Sequence, residues 1–326
     1  MAPTGKSPLN LVLGVSSVGD TSKDPMARFD TPDEVNNFLD TFTARGYNQL
    51  DTARAYPPHA PGTSEPRLGA AGAGDRFIID SKVWPEHHTK SGIIGDVDSS
   101  LEELRTKQIN IEYLHMPDRV ASFEEICAGM DQAYREGKIK GWGVSSYTAE
   151  EIQKFVDICE EHGYVKLSAY QGQYNAIVRG GEEELFPVLR KNGIAFYAYS
   201  PAAGGFFSGA HKNIKPGGRF DKVHGIGNLY SGYFLKPSIM EAVEKAVDVA
   251  AQHGINGHEA ALRWISYHSI LDRKYGDSII VGASSSEQLN SNIDAIERGP
   301  LPEEVVAAFN GVYGQIDKES EVLYYR

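Results

Sequence analysis

Apolar residues in this chain come in short runs, and the stretches between the runs repeat apolar positions three or four residues apart. Leu11–Val15 is the first run. After a Gly/Ser turn, Thr31-Pro32-Asp33-Glu34 opens a helix: Thr31 is a good N-cap, Pro32 suits the first helical position, and Glu34 completes a capping box. Val35, Phe38, Leu39 and Phe42 then share one face up to about Arg45. The unit recurs. Tyr47–Ala53 reads as a strand, as does Phe77–Val83, with a helix from about Ser91 to Arg105. Ile111–His115 is next, followed by the Ser122–Glu125 capping box and a helix to about Gly137. Lys140–Ser145, then a Thr148–Glu151 cap and a helix to about His162, continue the pattern. Leu167–Gln171 leads to a helix over Glu182–Asn192, and Ile194–Ser200 to a long irregular stretch. Helices at about Pro237–His253 and Gly257–His268, the strand Ser278–Val281, a helix from Ser285 to about Ile296 and a last one from about Pro302 complete the order.

Eight strands alternating with helices, each strand apolar enough to be covered on both faces, predict parallel pairing with helical crossovers. Eight such units in 326 residues predict a closed (β/α)8 barrel, an α/β TIM barrel of one domain over residues 1–326. A long loop at 201–236 follows strand seven, and a tail at 317–326 lies near the mouth. An open doubly wound sheet is the alternative. Against it, Gly14-Val15-Ser16-Ser17-Val18-Gly19 lacks the glycine spacing of a dinucleotide-binding turn.

Composition narrows the function classes. Hydrophobic content is 41% and charged content 23%, so a sizeable core is expected and disorder is not. A net charge of −12 argues against nucleic acid or an anionic membrane as partner, and a polyanionic ligand requires a locally basic pocket. Cys127 and Cys159 have neither metal nor redox spacing and read as buried small hydrophobes. There is no signal-type apolar core, no run of membrane-spanning length and no Asn-x-Ser/Thr, which reads as a soluble cytoplasmic protein. His87-His88 lacks a third ligand at workable spacing, so no metal is expected and the pair reads as surface histidines.

In a barrel all strand C-termini converge on one mouth. The second strand brings Asp51 there, with Tyr56 in the loop beyond it; the third brings Lys82 and the fourth His115. A buried lysine needs a carboxylate, and Asp51 is its natural partner. A phenol is too weak an acid near neutrality, but an adjacent ammonium stabilises the phenolate and strengthens it. His115 could hydrogen-bond a carbonyl oxygen and turn it toward the phenol. The set suits protonation of an alkoxide forming during hydride addition to a carbonyl, with a nicotinamide cofactor as hydride source. Singly, Lys82 is better explained by a structural ion pair and His115 by a satisfied core histidine; four compatible residues at successive strand ends are not.

The sequence resembles the aldo-keto reductases, and within them the aflatoxin-aldehyde (succinic semialdehyde) reductase branch. The residues that carry this are Asp51-Thr52-Ala53-x-x-Tyr56, Ser64-Glu65 with Leu68-Gly69, Ser81-Lys82-Val83 and Tyr113-Leu114-His115-Met116-Pro117-Asp118. Gly141-x-Gly143-Val144-Ser145, Tyr170-Gln171-x-x-Tyr174-Asn175, Tyr199-Ser200-Pro201-x-Ala203-Gly204-Gly205 and Gly282-x-Ser284-Ser285-x-Glu287-Gln288-Leu289 extend it across nearly the whole chain. The resemblance implies NADPH/NADP+ and aldehyde reduction, with Tyr56 as proton donor, Lys82 and Asp51 lowering its pKa and His115 orienting substrate. It implies Ser145, Ser146 and Gln171 at the nicotinamide carboxamide and Tyr199 under the ring. Ser16, Ser200, Pro201, Ala202, Gly204 and Ser208 then fall along the pyrophosphate, with Ser284, Ser285, Gln288, Ser291 and Asn292 at the adenosine 2′-phosphate. Ser285 and Gln288 are equally a capping box.

Some positions depart from that pattern. Ala283 and Gln288 stand where many such reductases place Lys and Arg, which weakens a preference for NADPH over NADH. Lys212 comes late after the Gly-Gly loop, leaving Arg219 as the preferred basic contact, and Pro57-Pro58 follows Tyr56. Trp84, His115, Met116, Asn175, Tyr230, Tyr233 and Arg326 form the expected substrate walls, with a small-molecule carbonyl compound as partner. Branch members commonly dimerise, so a homodimer is implied without an identified interface. Two other readings stay open: a Schiff-base enzyme with Lys82 as nucleophile, and a regulatory subunit that keeps the cofactor with little turnover.

Overall fold

The computed structural model describes residues 6–326. Its eight strands are β1 (Asn10–Gly14), β2 (Gln49–Asp51), β3 (Ile78–Val83), β4 (Ile109–Leu114), β5 (Ile139–Ser145), β6 (Ala169–Gln173), β7 (Ala195–Tyr199) and β8 (Ser278–Gly282). Each pairs in parallel with the next, and β8 pairs with β1 from Asn10↔Ser278 to Gly14↔Gly282, closing the barrel. The expected (β/α)8 barrel is the fold.

Strand alternation separates two apolar layers. A small cluster of Val12, Ile111, Tyr113, Ala169, Tyr197 and Ile280 fills the interior. The much larger core lies between the strands and the outer helices, with Phe38, Leu50, Ile79, Val144, Tyr170 and Trp264 among its members. The helices begin where their caps predict. Thr31 and Thr148 each form the reciprocal box with Glu34 and Glu151, opening Pro32–Thr43 and Ala149–His162. At Ser122 the side chain accepts from the Glu125 N–H, opening Phe123–Arg135. Cys127 and Cys159 are buried, free thiols.

Several boundaries differ from expectation. β2 stops at Asp51 instead of Ala53, although the Thr52 and Arg54 N–H groups still donate to the Asp80 and Lys82 carbonyls of β3 at 3.0 Å each. Helix Ser64–Ala70 and a single turn at Ala73–Arg76 occupy what reads as a Pro/Gly-rich connection. Gly69 sits so close to the next helix that a Cβ there would lie 2.0 Å from the Glu103 carbonyl oxygen. The stretch after β7 holds a six-residue 3-10 segment at Ala203–Ser208 and a ten-residue helix at Gly225–Phe234. Among the described residues no helix is long and apolar enough to cross a membrane.

Candidate active site

β2 ends on Asp51, and the register Asp51↔Asp80 sets Lys82 one inward position further along β3. Lys82 is fully buried. Its Nζ donates to both Asp51 oxygens at 2.8 Å and to the Thr52 carbonyl at 2.6 Å, and the Tyr56 phenol is a further hydrogen-bonding neighbour. Burial opposes its charge, but Asp51 and Tyr56 outweigh that, and Lys82 is held above its usual pKa. It is therefore an ammonium with no free lone pair, unsuited to nucleophilic attack.

On its outward side β3 is anchored by a second buried cluster. Ser81 Oγ donates to Glu65 Oε1 at 2.5 Å, and Arg54 bridges Glu65 at 2.8 Å and Glu103 at 2.6 Å. Neighbouring positions on one strand thus bind Lys82 to the interior and Ser81 to the helical layer, which fixes the ammonium in place.

Tyr56 enters from the loop after β2, where its carbonyl accepts from the Thr63 and Ser64 N–H groups and its peptide to Pro57 is cis. Lys82 Nζ lies 4.8 Å from the Tyr56 ring centroid. The His115 ring, directly after β4, stands edge-on to Tyr56 at 5.3 Å and 84°. Burial holds the Tyr56 phenol above its usual value; Lys82 and Arg219 pull it down but do not overcome burial. Asp51 pushes it up, so the expectation that Asp51 helps to lower it is corrected: its charge opposes a phenolate. His115 lies well below the usual histidine range, first through burial and then through the charges of Lys82, Arg326 and His88. It is neutral near pH 7: able to donate one hydrogen bond, not to act as an imidazolium acid. The four residues predicted to meet do meet.

The other strand ends fill out the mouth. Gln171 Nε2 donates to Asp51 Oδ1 at 2.7 Å, so it borders the ion pair, and Ser145 and Ser146 lie side by side with hydroxyls 3.4 Å apart. Ser146 and Ser200 have φ of 65° and 54°, a backbone state non-glycine residues seldom adopt and one concentrated at ligand sites. Beyond Tyr199, Pro201 and Ala202 are buried and Gly204 turns at φ 64°, where a Cβ would meet the Tyr230 ring at 2.5 Å. Arg219 Nη2 reaches back to Ser16 Oγ at 3.2 Å, its guanidinium 5.6 Å from the Tyr230 ring centroid. After β8, Ser285 caps helix Ser286–Glu297 and Gln288 Oε1 accepts from the Ser284 N–H and hydroxyl. Ser291 and Ser208 are exposed.

Some expected contacts are committed elsewhere. Lys212 is exposed and pairs with Glu244 at 3.0 Å. Asn292 is buried between the Gly282 carbonyl and His258, so it braces the helix. Asn175 is fully buried; its Nδ2 donates to the Ser200 carbonyl and its Oδ1 accepts from the Ile177 and Val178 N–H groups, so most of its amide is committed to backbone. Trp84, Met116, Tyr230, Tyr233 and Arg326 are arranged about the mouth: Tyr230 shares a 2.7 Å hydrogen bond with Ser200, and Arg326 N donates to the Ser146 carbonyl. The reading of His87-His88 as surface residues is corrected. His87 is exposed and paired with Asp96, but His88 is 1% exposed with both ring nitrogens unpartnered. Its sequence neighbour's polarity masked a side chain that turns inward to where His115 senses it.

The Aldo/keto reductase family model matches residues 10–313. The chain belongs to the aldo/keto reductase family. It is 36% identical over 296 residues to human "Aldo-keto reductase family 7 member A3", covering 85% of this chain and 88% of that protein. It is 37% identical over 288 residues to human "Aflatoxin B1 aldehyde reductase member 4", covering 82% and 85%. "Oxidoreductase sirO" of Leptosphaeria maculans is 32% identical over 316 residues, 95% of each chain. Membership makes the chain an oxidoreductase for which carbonyl reduction is the chemistry to explain.

Proposed function

We propose that this aldo/keto reductase reduces aldehydes to alcohols with NADPH, with Tyr56 as the general acid. The observation that carries this is the joining of Asp51, Lys82, Tyr56 and His115 at the ends of β2, β3 and β4. The mouth suits a dinucleotide. Ser145, Ser146 and Gln171 offer amide and hydroxyl groups next to the ion pair, Tyr199 offers an aromatic face, and glycines at 204 and 205 leave room for a pyrophosphate. Arg219 and the N-terminus of helix Ser286–Glu297 supply positive charge in an acidic protein. The bound cofactor supplies the hydride.

The chain's own residues handle the proton. Neutral His115 donates a hydrogen bond to the substrate carbonyl and turns it toward Tyr56. As the oxygen gains negative charge the Tyr56 hydroxyl proton moves onto it, and the Lys82 ammonium stabilises the phenolate left behind. Asp51 and the Thr52 carbonyl hold that ammonium still. The aromatic walls suit bulky aldehydes, and Arg326 or Arg219 suits a carboxyl-bearing one. Tyr56→Phe is expected to abolish aldehyde-dependent NADPH oxidation while NADPH binding, read by fluorescence quenching, stays within about threefold. Loss of both together would make Tyr56 structural, and tight binding without turnover on any aldehyde would favour a regulatory subunit.

A further inference from the structure

Below Lys82 the barrel interior holds a second carboxyl that the reductase scheme leaves unused. Asp80 is fully buried, two residues before Lys82 on β3 and in register with Asp51 on β2. Asn110 Nδ2 donates to its Oδ1 and Gln49 Nε2 to its Oδ2, each at 2.7 Å. Gln49 is itself fixed, since its Oε1 accepts from Asn10 Nδ2 at 2.7 Å and its Nε2 also reaches Tyr197 Oη at 3.4 Å. Among the described residues no ammonium or guanidinium hydrogen-bonds Asp80. The groups facing it are Lys82 on its own strand, Asp51 and Gln49 on β2, Asn110 and Tyr113 on β4, and Tyr197 on β7. Of these only Lys82 is cationic, and it donates to Asp51 and Thr52, not to Asp80. A buried carboxyl with two amide donors and a carboxylate for a neighbour ionises reluctantly. Burial pushes it up to about 7, against the pull of Asn110, Gln49 and Lys82.

We propose that Asp80 is a second proton-holding carboxyl of the active site, a positioning residue whose charge state sets, through the Asp51–Lys82 pair, how strong an acid Tyr56 is. This rests on the reductase reading above. With Asp80 protonated, Asp51 alone offsets the ammonium, and Lys82 acts on the phenol against one carboxylate. With Asp80 ionised, two carboxylates share one ammonium and the interior opposes a phenolate, so Tyr56 yields its proton less readily. The Asp80 proton is not passed to substrate. When it is present, one neighbouring amide turns its oxygen toward the new O–H; Asn10 holds Gln49, so Asn110 is the one that turns.

The test is kcat for aldehyde reduction against pH, from about pH 5 to pH 9, in the wild type, Asp80→Asn and Asn110→Ala. The wild type is expected to show a step near neutral pH besides the one due to Tyr56. Asp80→Asn removes that step and raises kcat on its alkaline side by about tenfold, one unit of acid strength. Asn110→Ala, which takes away a donor that favours the ionised form, keeps the step and moves it to higher pH. A merely structural role lowers activity evenly across pH and leaves the step where it was. The proposal is overturned if the wild type reduces aldehydes without the step, or if the step stays put in the variants that fold. Failure of the reductase reading is distinct: the wild type itself oxidises no NADPH with any aldehyde.

Discussion

Replacing Lys82 with Met keeps the length of the side chain and removes its charge. With Nζ 4.8 Å from the Tyr56 ring centroid, the attraction between ammonium and phenolate at an effective dielectric of about 20 is roughly 3.5 kcal/mol, or about 2.5 units of phenol pKa. If about half of that is felt in the transition state, kcat falls by about tenfold to a hundredfold, and more if proton transfer is nearly complete there. The deletion also strands Asp51, which is 3% exposed and among the described residues keeps only Gln171 Nε2 as a side-chain donor. Breaking a buried pair in this way costs about 3–5 kcal/mol unless the carboxyl takes up a proton. Stopped-flow rates of aldehyde reduction separate the two effects, because the loss of acid strength appears in the chemical step while the lost stability appears in urea unfolding. NADPH affinity is expected to change little. A Lys82→Met protein with kcat within threefold of wild type would refute the argument that the ammonium sets the acidity of Tyr56.

Two further outcomes follow from the same geometry. Burial pushes Asp80 up to about 7 from the ordinary carboxyl value of 3.8, so between those limits the folded state holds a proton that the unfolded chain has released. Its contribution is complete below the lower limit, is lost as pH rises to about 7 and amounts to roughly 4 kcal/mol; Asp80→Asn is expected to flatten stability against pH across that window, and urea titrations that keep the wild-type slope would contradict it. Arg326 lies among Tyr199, Tyr230 and Tyr233, and its charge is felt at His115. Arg326→Met is expected to raise KM for a carboxyl-bearing aldehyde by about tenfold or more while leaving a neutral aromatic aldehyde within about threefold, and equal effects on both would remove the carboxylate contact.

The barrel was legible because each strand is an apolar run and each helix has a marked start, as at Thr31 and Thr148. Asp51 and Lys82 stood out for a physical reason: a charge that ends a buried strand needs a partner, and only facing strand ends can provide one. Asp80 was missed because a carboxyl inside Phe77–Val83 looks like ordinary inside–outside alternation. Alternation puts it on the same face as Lys82, and the register with Asp51 shows how close that face brings the two carboxyls. His88 was missed because its burial depends on the turn after Trp84, where His87 N donates to the Trp84 carbonyl and sends consecutive histidines in opposite directions. Helix Gly225–Phe234 was hidden by Gly225, Gly227 and Gly232, which erase the apolar period. What the sequence does not show of Asn175 is its grip on the backbone, where Nδ2 donates to the Ser200 carbonyl.

The central claim is that a carbonyl carbon receives hydride beside Tyr56 while the phenol gives up its proton. NADPH carrying deuterium at both C4 positions of the nicotinamide tests it directly, with the alcohol product read by mass spectrometry. One deuterium is expected on the former carbonyl carbon in the wild type, and no alcohol from Tyr56→Phe at comparable NADPH occupancy. An unlabelled alcohol, or borohydride trapping of the substrate on Lys82, would contradict it.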